Sequence, residues 1–106
     1  MPNFVTVAKT GDIPPGERDV FEIDGRYIAV FNVGGTYYAI EDICTHDGGP
    51  LAEGDLVDEY EIACPRHGAR FDIRTGKVLS MPAVVDVSWF PVRVEGDAIQ
   101  VDVEET

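Results

Sequence analysis

Cys44-Thr45-His46 and Cys64-Pro65-Arg66-His67 hold every cysteine and every histidine of this 106-residue chain. Its soft and borderline metal ligands are therefore confined to two short clusters, each pairing one thiol with one imidazole. Three chemistries can use such a set. A thiol pair, or a disulfide between Cys44 and Cys64, would leave both histidines idle and is disfavoured in a reducing compartment. A tetrahedral zinc can take two thiolates and two imidazoles, but the spacings match zinc modules only loosely, and a chain of this length has little need of a metal staple. A two-iron, two-sulfide cluster with both thiolates on one iron and both imidazoles on the other requires the mixed pairing. Two loops, each giving one Cys and one His, would then clasp the cluster from opposite sides and leave the imidazole end outermost.

Such loops need a rigid scaffold, and the sequence supplies short strands. No helical periodicity persists, whereas β-branched and aromatic runs recur between glycine-containing turns. Phe21-Glu22-Ile23 and Tyr27-Ile28-Ala29-Val30-Phe31 flank Asp24-Gly25, a strong hairpin signal. Gly34-Gly35 separates Phe31-Asn32-Val33 from Tyr37-Tyr38-Ala39-Ile40, and Glu95-Gly96-Asp97 separates Val92-Arg93-Val94 from the run Ile99 to Val103. In that last run Ile99, Val101 and Val103 share one face, and Gln100 and Asp102 share the other. The pattern predicts an all-β fold of antiparallel sheets packed as a sandwich or small barrel, one domain over residues 1–106. Residues 42–83 hold both ligand clusters and read as loops with a short hairpin.

Charge narrows the partners. A formal net charge of −12 argues against nucleic acid and anionic membranes and favours a basic protein. Between Glu41 and Glu61 lie eight acidic residues and no basic one, while Arg66, Arg70, Arg74 and Lys77 follow closely. The first residues carry no basic leader with an apolar run, and no stretch approaches the roughly 20 apolar residues of a membrane span. A soluble, cytoplasmic protein is expected.

The chain resembles the Rieske iron–sulfur proteins. Their pattern is C-x-H, a spacer of about seventeen residues, then C-x-x-H-G; here residues 47 to 63, seventeen in all, separate His46 from Cys64, and Gly68 follows His67. Pro50-Leu51, the run Cys64 to Asp72 and the turn at Gly76 extend the likeness, and Met81-Pro82-Ala83 is similar to the proline-bearing loop that covers the cluster. The resemblance implies one [2Fe-2S] cluster per chain, with Cys44 and Cys64 on the inner iron and His46 and His67 on the outer. Members that oxidise quinols carry an extra cysteine in each loop and a serine after the second histidine; this chain has Gly49, Arg66 and Ala69 there. Fewer hydrogen bonds to the cluster imply a potential at the low end of the Rieske range, about −150 mV and below zero.

The resemblance thus implies a soluble Rieske-type ferredoxin. It would carry single electrons from a flavin-dependent NAD(P)H reductase to a terminal, ring-hydroxylating oxygenase, with no catalysis of its own and no small molecule at the metal. It cannot be the oxygenase, which needs a second iron held by two further histidines. The alternatives are a noncatalytic small subunit of a larger enzyme, such as assimilatory nitrite reductase, and a redox-sensing or cluster-assembly protein. Of the other residues, Trp89-Phe90 suits a core or sheet edge, and Tyr37 and Tyr38 point to opposite faces of a strand. Met81 is positioned to shield the cluster and Asp72 to serve a turn. Gly48, Gly49 and Gly68 could admit backbone close to the cluster or simply form turns.

Overall fold

The computed structural model describes residues 3–44, 49–65, 68–81, 83 and 85–103. Among them eleven strands form three antiparallel sheets. The outer sheet joins β1 (Phe4–Lys9), β11 (Ala98–Asp102) and β10 (Val92–Glu95), with β11 in the middle. The middle sheet runs β2 (Arg18–Ile23), β3 (Arg26–Val33), β4 (Thr36–Glu41), β9 (Trp89–Phe90). Four three-residue strands make the third: β5 (Leu56–Asp58), β6 (Glu61–Ala63), β7 (Arg70–Asp72) and β8 (Val78–Ser80).

The middle sheet works on both faces. From β3 and β4, Ile28, Val30 and Ala39 enter one apolar cluster with Phe90, Ile99 and Val101. The alternate residues Ala29, Phe31 and Ile40 enter the other, with Leu51, Ile62 and Phe71 of the ligand-bearing segment. Since both faces are covered, residues 28–31 are fully buried and read as a continuous apolar run instead of alternating. The β2–β3 turn uses Asp24 and Gly25 at φ of 51° and 80°, the pair of positive values a type I′ turn requires. Buried Asn32 is satisfied: its Nδ2 donates to the Ile13 carbonyl at 2.8 Å, and its Oδ1 accepts the Gly35 N–H at 2.8 Å.

Two expectations are corrected. The segment 42–83 contains a four-stranded sheet, not one short hairpin; strands of three residues are too short to show a period. Asp102, expected on the face opposite Ile99, Val101 and Val103, is nevertheless buried, because the N-terminal segment crosses it and the Asn3 N–H donates to its Oδ1 at 3.1 Å. Ile99, Val101 and Val103 share a buried face as expected. The tyrosines on β4 divide as the strand period demands, Tyr37 toward the outer-sheet cluster and Tyr38 toward the other. Phe90 is buried and Trp89 half exposed at the sheet edge.

Candidate metal centre

Cys44 follows the end of β4, and Cys64 directly follows β6. Both enter the apolar cluster between the middle and ligand-bearing sheets, at 1% and 2% exposure. They form no disulfide, which removes the loop-closing bridge from the three chemistries. Such burial also disfavours a reactive nucleophile, since reactive thiols are partly exposed in electropositive surroundings.

The two loops are closed alike. The Cys44 N–H donates to the Gly49 carbonyl at 2.7 Å, and the Cys64 N–H donates to the Ala69 carbonyl at 2.7 Å, in each case five residues on. Gly68, at φ of 76°, makes the tight return of the second loop and donates its N–H to the Cys64 carbonyl at 2.9 Å. A turn role is thereby assigned to Gly68; Gly49 serves as the acceptor that closes the first loop. Thr45, His46, Asp47, Gly48, Arg66 and His67 lie outside the described residues, as do Pro82 and Val84. Among the described residues no group of three His, Cys, Asp or Glu side chains is placed to hold a metal ion.

A third segment enters the cluster that holds both cysteines. Ala83 is buried in the cysteine cluster, while Met81 beside it is 78% exposed. Three hydrogen bonds tie this segment down: Val78 N–H to Asp86 Oδ1 at 2.9 Å, Val87 N–H to the Gly76 carbonyl at 2.8 Å, and Glu41 N–H to the Ser88 carbonyl at 2.9 Å. No room exists for a side chain at Gly76, where a Cβ would lie 1.9 Å from the Val87 carbonyl oxygen.

On the flank of the ligand-bearing sheet, Arg74 is paired with Asp72 at 2.9 Å and 3.1 Å and lies 4.1 Å from the centre of the Tyr60 ring. Tyr60 meets Tyr38 of the middle sheet edge to face, with ring centres 5.7 Å apart. The stack fixes one sheet on the other. The Arg74 hydrogen bonds hold the Asp72 carboxyl below its ordinary value, and burial, reinforced by the Tyr60 hydroxyl, pushes the Tyr38 phenol up. Asp72 also serves its expected turn, accepting the Arg74 N–H on Oδ1 at 2.8 Å and the Gly76 N–H on its carbonyl at 2.7 Å.

Two thiols from residues twenty apart, sealed in one apolar cluster and each heading a loop of the same span, suit a metal group bound partly by thiolate sulfur. A metal that accepts charge from sulfur makes such burial tolerable. The family model for the Rieske [2Fe-2S] domain matches residues 3–91. The chain belongs to this family. A relative 42% identical over 104 residues, covering 97% of this chain and 96% of its own length, is the 3-phenylpropionate/cinnamic acid dioxygenase ferredoxin subunit of Shigella flexneri serotype 5b (strain 8401). Among solved structures, the ferredoxin of carbazole 1,9a-dioxygenase from Nocardioides aromaticivorans IC177 superposes at a TM-score of 0.90 with 36% identity, covering 95% of this Rieske chain and 98% of that one. A chain of the complex of reduced oxygenase and oxidized ferredoxin in carbazole 1,9a-dioxygenase gives a TM-score of 0.89 with 36% identity, over 97% and 95% of the two chains. Family membership makes a [2Fe-2S] cluster, not zinc, the group that this Rieske domain implies.

Sequence reading missed Arg18, Asp42, Gly54 and Asp86. None carries a ligand signature, because each acts on backbone groups distant in sequence.

Proposed function

We propose that this chain is a ferredoxin: a one-electron carrier, not itself an enzyme, that holds one [2Fe-2S] cluster per chain on Cys44, His46, Cys64 and His67. The near end-to-end likeness to a dioxygenase ferredoxin subunit carries this reading, because the match takes in 97% of this chain and 96% of that subunit. The buried thiols and the two equally closed loops support it independently. Cys44 and Cys64 supply thiolates to the inner iron, and His46 and His67 bind the outer iron. When bound, the group accepts and releases one electron, with the imidazoles in place of thiolates lowering the negative charge and so easing reduction. The electron comes from a flavin-dependent NAD(P)H reductase and goes to a terminal oxygenase of the ring-hydroxylating type, both in the cytoplasm. The solved assembly of oxygenase with ferredoxin in carbazole 1,9a-dioxygenase supports the acceptor class.

The test is anaerobic reduction of the isolated protein, followed by electron paramagnetic resonance and assay of iron and acid-labile sulfide. The reading expects equal iron and sulfide, a rhombic signal in the reduced state only, and loss of both in Cys44→Ser. A colourless protein containing zinc would overturn it.

A further inference from the structure

Between the two ligand loops in sequence lies a short segment, residues 51–55, that is bonded to the residues leading into both. Leu51 is fully buried in the cluster that holds Cys44 and Cys64. The Ala63 N–H, one residue before Cys64, donates to the Asp55 carbonyl at 3.0 Å. At Gly54 a Cβ would stand 1.8 Å from the Ala63 carbonyl oxygen, so segment and strand are in direct backbone contact. The segment is thus a wedge against the residue that leads into Cys64, in the cluster that holds both cysteines.

What holds the wedge comes from the middle sheet. Arg18, at the start of β2, directs one guanidinium nitrogen, Nη1, to the carbonyl oxygens of Ala52 at 3.3 Å and Gly54 at 2.5 Å. Its guanidinium carbon lies 5.7 Å from the centre of the Phe31 ring, itself part of the cysteine cluster. From the other side, Asp42 Oδ1 accepts the Ala52 N–H at 2.7 Å, and the Asp42 N–H is anchored on the Tyr27 carbonyl at 2.8 Å. Both backbone groups of Ala52 are therefore gripped by opposite charges carried on the rigid central layer. Hydrogen bonds to charged groups are stronger than neutral ones, and the planar guanidinium can stack on Phe31 while donating in a way an ammonium cannot reproduce.

We propose that Arg18 is a positioning residue for the metal centre: by holding the Ala52 and Gly54 carbonyls it fixes the wedge, and so the spacing of the loops headed by Cys44 and Cys64. This inference rests on the cluster-binding reading above. It is tested on the cluster-loaded protein with Arg18→Gln and Arg18→Lys, and with Arg93→Gln as a control. Arg93 pairs with Gln100 on the outer sheet at 2.8 Å, so its replacement removes a cation without touching the wedge. The measurements are the rate at which an iron chelator bleaches the visible absorbance, and the midpoint potential.

Losing the charge-assisted hydrogen bonds to Ala52 and Gly54 predicts bleaching at least about tenfold faster in Arg18→Gln. Its midpoint should fall, because a removed cation no longer favours the more negative reduced state. Arg18→Lys keeps the charge and loses the planar group that packs on Phe31 while donating to both carbonyls, so its midpoint should return to that of the parent while bleaching stays faster. Arg93→Gln should bleach like the parent. Parent-like bleaching in Arg18→Gln, or equally fast bleaching in Arg93→Gln, would overturn the proposal. If Arg18→Gln does not accumulate, parent-like bleaching in Arg18→Lys overturns it instead. A parent protein without iron and sulfide would sink the cluster reading itself, an outcome separate from these.

Discussion

Ala69 stands where higher-potential relatives in the resemblance place a hydroxyl. It is fully buried beside Cys64, and its carbonyl already closes the second loop, so only its side chain can change without breaking that bond. In Ala69→Ser a new donor near sulfur would favour the reduced state; at about 1 kcal/mol per hydrogen bond the midpoint should rise by about 40 mV. A redox titration checks this, and an unchanged or lower midpoint would show that position 69 does not reach the cluster. Asp72 gives a pH signature at the same scale. Its carboxyl is held below the ordinary 3.8, chiefly by the Arg74 side-chain hydrogen bond. A depressed carboxylate contributes stability above the unfolded value and loses it as pH falls through the folded one. Asp72→Asn should therefore be less stable than the parent at pH 7, and the gap should begin to narrow only near pH 4 and close as pH falls through the lowered folded value. Urea unfolding at pH 7 and at several steps below pH 4 measures it.

At the scale of elements, the third segment is held by one turn. Gly76→Ala would drive a Cβ into the Val87 carbonyl and also ask alanine to adopt a φ of 73°. A loss of about 2 kcal/mol or more in urea unfolding is expected, with faster bleaching by chelator. Parent-like stability would mean that the turn relaxes without disturbing Val87. The elements also show what a sequence discloses. The β2–β3 and β3–β4 hairpins were legible because Asp24-Gly25 and Gly34-Gly35 announce their turns and β3 is apolar on both faces. β1 was not foreseen, since most of its residues are only half buried, and β5 to β8 each offer three residues, fewer than a period needs. Cys44 and Cys64 stood out by being the only thiols in the chain. Arg18 and Asp42 did not, because their targets are backbone groups ten to thirty-six residues away, and backbone leaves no mark in composition.

For the whole molecule, charge is the dominant long-range property. Some of the acidic run is answered locally, by Arg26 beside Glu41 and Arg70 beside Glu61, each at 3.8 Å, yet twenty acidic residues face eight basic ones overall. The surplus field should speed encounter with a basic redox partner at low salt. Electron-transfer rates to such a partner should drop by about tenfold or more as ionic strength rises from about 0.02 to 0.5 M. Stopped-flow kinetics across that range decide it, and a flat profile would assign docking to apolar contacts alone.

The central layer is shared property. Neighbouring residues of β3 belong alternately to the cluster under the cysteines and to the one beneath β11, so loss of either compartment should undo the other. Colour and architecture should then vanish in one thermal transition, and truncating Ile99 in the remote layer should shorten the pigment's lifetime though it lies nowhere near the thiols.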